Sequence, residues 1–193
     1  MIFEDSSGQN FFNRDALHGI YVKIAKEKAW LQSFLVEHYY TKKQSGDKTG
    51  VKPDGSGVFT GRDNYFNQSI YLSGWTSYGR TIGVPFFTAV QGDGYALGVS
   101  NNRIEALHGG ISGFIVHKFP YKAKISYTDN IGTYYKPIDK QQLSAYFEVT
   151  FPMRIDNYPI NLTFGTAIDK GEYLEDNWGA FVKISTNGLW NDK

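Results

Sequence analysis

The sequence predicts an all-β chain, an antiparallel up-and-down sheet of about seven strands. Three observations predict it. Apolar and polar side chains alternate at a period of two over several segments, connections alternate between tight and long, and aromatic residues gather at both ends of the strands. No segment carries the periodicity of a long amphipathic helix.

In the first strand, 16–24, Ile20, Val22 and Ile24 share a face. In the second, 29–42, Trp30, Phe34, Val36 and Tyr40 do, with Gln32 an exception. The 103–118 segment is glycine-rich and its phase is ambiguous. In 121–133, Asp129 falls on the apolar face, which predicts a bulge or a strand end there. From residue 140 onward the alternation is clean. Leu143, Ala145, Phe147, Val149 and Phe151 stand against Ser144, Tyr146, Glu148 and Thr150. Ile160, Leu162, Phe164 and Ile168 stand against Asn161, Thr163 and Asp169. Trp178, Ala180, Val182 and Ile184 stand against Gly179, Phe181, Lys183 and Ser185.

Tight connections are expected near Ala25–Lys28, Phe119–Tyr121 and Met153–Asn157, and long ones at 43–102, 134–140 and 169–177. In an up-and-down sheet every second connection emerges at the same end, so the long loops share one end and the tight turns the other. That asymmetry, short periplasmic turns against long extracellular loops, predicts a transmembrane β-barrel. The aromatics agree. Trp30, Phe119, Tyr121, Phe151 and Tyr158 fall near the short-turn end, and Tyr39, Tyr40, Tyr134, Tyr135, Tyr173 and Trp178 near the long-loop end. Amphipathic rings sit well at the water–hydrocarbon boundary. Glu37, Glu148 and Lys183 fall on the polar face, where a lumen would hold them. A soluble β-sandwich or jelly roll also gives one apolar face per strand and stands as the alternative.

Composition narrows the partners. The 193 residues suit one domain, and 41% hydrophobic content is ample for a folded chain. A formal net charge of +1 gives no basic field, so nucleic acid is not an expected partner. With no Cys there is no disulfide, thiolate nucleophile or zinc–thiolate site. No apolar run is long enough for a membrane helix, and the start, MIFEDSSGQNFFNRD, lacks a signal-peptide pattern. A closed bacterial barrel needs an even strand count. Seven strands and no leader therefore lead us to expect 1–193 to be the C-terminal portion of a larger barrel whose N-terminal strands precede Met1.

The most distinctive stretch lies in the long connection. Residues 63–67 read DNYFN, and residues 70–87 read IYLSGWTSYGRTIGVPFF. It resembles the capsule assembly Wzi family of outer-membrane barrels, in its Bacteroidetes-type members, whose pattern is D-N-Y-Y-N and then I-Y-x-S-G-W-T-x-x-G-R-x-I-G-x-P-F. Residues 35–46, LVEHYYTKKQSG, and Asn101-Asn102-Arg103 also look like segments of that family. The resemblance covers roughly 16–190 and only the family's C-terminal part. It implies a barrel of about eighteen strands in the bacterial outer membrane. The implied role is non-enzymatic: assembly or surface attachment of capsular or exopolysaccharide through extracellular loops.

The residues themselves are compatible with sugar contact. Tyr65, Tyr71, Trp75 and Tyr78 offer flat apolar faces to pyranose rings. Asp63, Asn64, Asn67, Gln68 and Arg80 offer directional donors and acceptors. Arg62 and Arg80 suit a uronic-acid carboxylate. The plainer reading is that the loop folds into the lumen or over the mouth, so that its aromatics are core and Arg80 pairs with a lumen carboxylate, with Gly74, Gly79 and Gly83 serving turns. Other readings are a porin or transporter with a charged lumen, a soluble carbohydrate-binding module, and a glycoside-active enzyme needing two carboxylates in a cleft. No catalytic motif is present, and Gly92–Gly98 has the wrong spacing for a dinucleotide loop. The sequons at Asn67 and Asn161 are short enough to arise by chance. No cofactor and no metal site are expected: His18, His38, His108 and His117 are scattered along strands.

Overall fold

The computed structural model describes residues 15–44, 49–51, 57–59, 64–90, 97–155 and 158–186. All of its regular structure is β: β1 (Ala16–Lys23), β2 (Ser33–Tyr40), β3 (Thr49–Val51), β4 (Gly57–Phe59), β5 (Thr76–Ser77), β6 (Arg80–Thr81), β7 (Thr88–Ala89), β8 (Val99–Asn101), β9 (Arg103–Ile115), β10 (Phe119–Gly132), β11 (Pro137–Ile155), β12 (Tyr158–Gly171) and β13 (Asn177–Thr186). Among the described residues no helix is long and apolar enough to cross a membrane, which says nothing of crossing by strands. Seven strands form one sheet in the order β1-β2-β9-β10-β11-β12-β13. The sheet is open, with β1 and β13 as its edges. Three two-stranded ladders, β3–β4, β5–β6 and β7–β8, lie between β2 and β9 in the chain.

The seven alternating segments are the seven strands of this sheet. The connections differ from expectation. The turn expected at Phe119–Tyr121 lies at 116–118, where Val116 and His117 take positive φ. The connection expected to run over 134–140 shrinks to 133–136, because β11 begins at Pro137, before its clean alternation starts. Thr133 N–H donates to the Lys136 carbonyl and Thr133 Oγ1 accepts from Lys136 N–H, closing that turn. Only 43–102 is strongly long, so loop parity is a weaker signal than the sequence suggested.

Two compact units share the chain. One comprises 1–18, 38–106 and 128–141, the other 19–37, 107–127 and 142–193.

In the second unit the strands sort their side chains by face. Ala145 pairs with Ile168, Val149 with Phe164 and Phe151 with Leu162 across β11–β12. Ile168, Phe164 and Leu162 in turn face Trp178, Val182 and Ile184 across β12–β13. Phe34, Val36, Gly109, Ile111, Ile125 and Phe147 line one shallow apolar depression of about 620 Å³ on the same face. Exposure resolves the ambiguous phase of 103–118: the odd residues Leu107, Ile111 and Ile115 are exposed apolar side chains, while His108 and Ser112 make side-chain hydrogen bonds with Ser126 and Ser33. The face is uncovered. Ile20 is 65% exposed, Ile125 53%, Val182 62% and Ile184 73%.

The opposite face is polar and internally bonded. Lys122 Nζ lies 3.0 Å from Glu148 Oε1, and Tyr146 Oη donates to Glu148 Oε2 at 2.5 Å. Thr150 and Thr163 share a hydroxyl bond of 2.8 Å, Ser33 and Ser112 one of 2.7 Å, and Ser144 Oγ donates to Asp169. Lys183 stands opposite Thr163, and a Cβ at Gly19 would touch Glu37. Phe181 lies flat over Gly165 and stacks with Tyr146 at 6.3 Å and 15°. Glycine is required at 165 because any Cβ would meet that ring, a pairing that fills the gap a glycine leaves in a sheet.

At the short-turn end Phe119, Phe151 and Phe164 form a ring chain, with centroids 5.0 and 5.8 Å apart. Of the aromatic row expected at this end, Trp30 and Tyr158 are exposed. Tyr121 departs from that row. It is buried, donating its hydroxyl to the Trp30 carbonyl at 3.0 Å beside Gly113.

In the first unit Asp129 does not end a strand, since β10 runs through it. Its apolar-face position is satisfied by Lys42 Nζ at 2.6 Å, which also meets Glu105 Oε2 at 2.9 Å, while His38 Nε2 meets Glu105 Oε1 at 3.0 Å. An opposite charge within reach neutralises what would be a costly carboxylate there.

Candidate functional site

The long connection is anchored by uncharged amides. Its core is small: Phe87, Val99 and Ile104 are buried, with Tyr39, Tyr65, Phe66, Val84 and Phe86 packed against them. Phe66 and Phe87 meet edge-to-face at 4.9 Å, and Tyr39 sits 6.0 Å from Phe87. So few apolar side chains cannot alone fix an irregular segment of this length, and hydrogen bonds complete the job.

Asn102 Nδ2 donates to Asn64 Oδ1 and to the Tyr65 carbonyl, both at 2.7 Å. Asn64 Oδ1 also accepts from Asn67 Nδ2 at 2.9 Å. Asn67 then pairs with the Val99 backbone in both directions, at 2.9 and 2.7 Å. Gln44 Nε2 donates to Asn102 Oδ1 at 3.0 Å, and the Lys43 and Gln44 backbone amides donate to the Asp15 carboxylate. Asn101 Nδ2 donates to Asn130 Oδ1 at 2.8 Å and Asn101 Oδ1 accepts from Gly132 N–H. Gln44, Asn101, Asn102 and Asn130 are buried, and each makes at least one side-chain bond, with Gln44 Oε1 left without a partner. Three segments singled out in the sequence, 35–46, 63–67 and 101–103, thus contribute Gln44, Asn64, Asn67, Asn101 and Asn102 to this network. The asparagines expected to offer groups to a sugar serve the scaffold instead.

The rest of the motif faces outward. β5 and β6 form a hairpin in which Thr76 pairs with Thr81 and Ser77 with Arg80. Tyr78 and Gly79, with φ of 48° and 70°, form its two-residue turn, the double left-handed conformation that suits a right-twisted ribbon. Ile82 N–H donates to the Trp75 carbonyl at 2.9 Å, extending the ladder by one pair. Opposite residues share a face, so Trp75, Ser77, Arg80 and Ile82 lie on one side and Thr76 and Thr81 on the other. The first four are exposed and the threonines half-buried. Gly74, at φ 55°, lies against the Phe66 carbonyl, where no side chain fits. Gln68 Oε1 accepts the Ile70 and Tyr71 amides and shapes the approach to the hairpin.

The expected sugar-contacting residues therefore separate. Trp75 and Arg80 are brought together on an exposed face. Tyr78 is fully exposed at the tip, and Tyr71 is exposed nearby in the chain. Tyr65 is half-buried and packs against the Phe87, Val99 and Ile104 core. Arg62 and Asp63 lie outside the described residues.

Sequence reasoning missed a second feature in this unit. A cleft of about 520 Å³ is lined by Gln68, Ser69 and Ser100 from the long connection and by Thr133, Tyr135 and Lys136 from the β10–β11 turn. The signal available in the sequence was the Tyr134-Tyr135-Lys136 run, an aromatic pair beside a cation in a turn.

The histidines do not converge on a metal. His38 binds Glu105, His108 binds Ser126 and His117 binds the Lys28 carbonyl. No group of metal-ligating side chains exists among the described residues. No protein-family model matches the chain, and neither does any curated protein or solved structure compared with it.

Proposed function

We propose that the chain is a portion of an outer-membrane β-barrel of the Wzi type, with seven of about eighteen strands, that holds capsular or exopolysaccharide at the bacterial surface without catalysis. The observation that carries the reading is the uncovered apolar face of the second unit, backed by a bonded polar face on the same strands. Soluble proteins rarely leave a broad apolar surface bare, whereas a barrel wall in lipid requires one. Outer-membrane lipid is then the partner of the apolar face. The polar face lines the lumen, and the Trp75–Arg80 hairpin faces the glycan.

Ile125→Lys tests the lipid assignment. At the membrane midplane a lysine costs about 2–4 kcal/mol, so folding into phospholipid vesicles is expected to fail or weaken, while Ser126→Lys on the polar side is tolerated. A chain carrying Ile125→Lys that folds as a monomer in plain buffer overturns the reading in favour of a soluble module. Trp75→Ala with Arg80→Gln tests the glycan side. Loss of polysaccharide retention on cells is expected, and unchanged retention removes the hairpin from the site.

A second reading, a porin or transporter, draws on the ion pair and hydroxyl ladder of the polar face. Steady single-channel conductance in planar bilayers favours it, and silence favours a plugged wall.

A further inference from the structure

We propose that the cleft between the long connection and the 133–136 turn is a separate binding site for a sugar residue bearing a carboxylate. It rests on the reading of the chain as a polysaccharide-contacting protein, but on none of the residues of the hairpin.

Three properties of the cleft point to that ligand. Its volume, about 520 Å³, lies in the range of small-molecule sites and exceeds what one side chain would fill. Its walls mix an aromatic face with polar atoms. Tyr135 is 66% exposed, and the partly negative face of its ring attracts the partly positive C–H groups of a pyranose. Opposite chemistry is at hand. Gln68 is oriented by its own Oε1, which accepts the Ile70 and Tyr71 amides, so its Nε2 hydrogens remain for a ligand. Ser100 Oγ donates to the Thr88 and Ala89 carbonyls and keeps lone pairs to accept a sugar hydroxyl. Thr133 Oγ1 accepts from Lys136 N–H, which leaves its proton to donate.

The charge then chooses among sugars. Lys136 lines the cleft, and no carboxylate does among the described lining residues. With no carboxylate beside it among the described lining residues, the Lys136 ammonium selects a negatively charged group, and the hydroxyl-matching partners around it select a sugar over a simple anion. The site is preformed. Its floor includes Asn64 and Asn67, locked in the amide network, so binding need not order the loop.

The test uses the whole chain in detergent micelles against an array carrying uronate-bearing and neutral bacterial oligosaccharides. At least one acidic glycan is expected to bind, with neutral counterparts at least tenfold weaker. Tyr135→Ala and Lys136→Gln, both at exposed positions, are each expected to weaken that binding about tenfold. Ser69→Trp, which obstructs the cleft, is expected to abolish it, with thermal unfolding unchanged in all three. Binding that ignores Tyr135→Ala and Lys136→Gln, equal binding of neutral glycans, or no acidic binding overturns the proposal. Trp75→Ala with Arg80→Gln is expected to leave this cleft binding intact. If retention on cells falls with the hairpin variants while the cleft variants change nothing, the cleft fails and the proposed function stands. If neither set affects retention on cells, that function fails as well.

Discussion

Asn64 and Asn102 stand 38 positions apart in the chain and are joined by a 2.7 Å hydrogen bond, with the same Asn102 amide also reaching the Tyr65 carbonyl. One side chain thereby clamps the start of the exposed motif to the start of β9. Asn102→Ala strips partners from buried groups at a cost of about 1–3 kcal/mol. We expect faster tryptic cleavage within 43–102. Asn102→Asp, the same shape with an acceptor in place of the donor, is expected to be at least as damaging. Cleavage as slow as in the parent would show that the clamp is redundant.

Lys42 bridges Glu105 and Asp129. Burial alone would lower the pKa of its ammonium, but hydrogen bonds with Asp129 and Glu105 outweigh burial and hold it above the ordinary lysine range. A folded-state value above the unfolded one, about 10.4, stabilises the fold below that pH and is lost as pH rises through the raised value. Lys42→Met leaves two carboxylates facing an apolar side chain. It should cost about 1 kcal/mol at pH 7 and less in acid, once the pH falls through the value to which Lys42 and His38 lower Glu105. Denaturant unfolding at pH 7 and in acid checks this, and a pH-independent cost would refute it.

Gly165 and Phe181 are expected to behave as one unit. Gly165→Ala drives a methyl into the ring and should cost about 1–3 kcal/mol. In a Phe181→Ala background the same change should cost much less, because the ring is gone. A double-mutant cycle on thermal unfolding measures the coupling, and additive effects would show that the ring has another seat.

Tyr78 holds a left-handed backbone conformation that asparagine adopts more easily than a ring-bearing residue does. Tyr78→Asn is therefore expected to stabilise the hairpin slightly, by less than about 1 kcal/mol. It should also weaken polysaccharide retention on cells. Weakened folding, or unchanged retention, would remove Tyr78 from the contact surface.

The strands were legible and the long connection was not, for one physical reason. A two-sided sheet writes its faces into the chain at a period of two, so Leu143–Phe151 and Trp178–Ser185 could be read residue by residue. The loop is held by bonds between residues such as Asn67 and Val99, 32 positions apart, and no local period records them. The partial burial of Tyr65 was hidden for the same reason, since an aromatic in a polar segment reads as exposed until the core it packs on is known. Asp129 looked like a defect because its partner Lys42 lies 87 positions away. The clustering of Asn64, Asn67, Asn101 and Asn102 was the available hint of a shared network.

The amide members of that network carry no ionisable group. Acid, alkali and brine that would loosen a clamp made of ion pairs leave these bonds almost untouched, because nothing in them gains or loses a proton or is masked by dissolved counterions. The segment can thus keep one posture through swings in its surroundings that the Lys42 cluster and the Asp15 carboxylate would register.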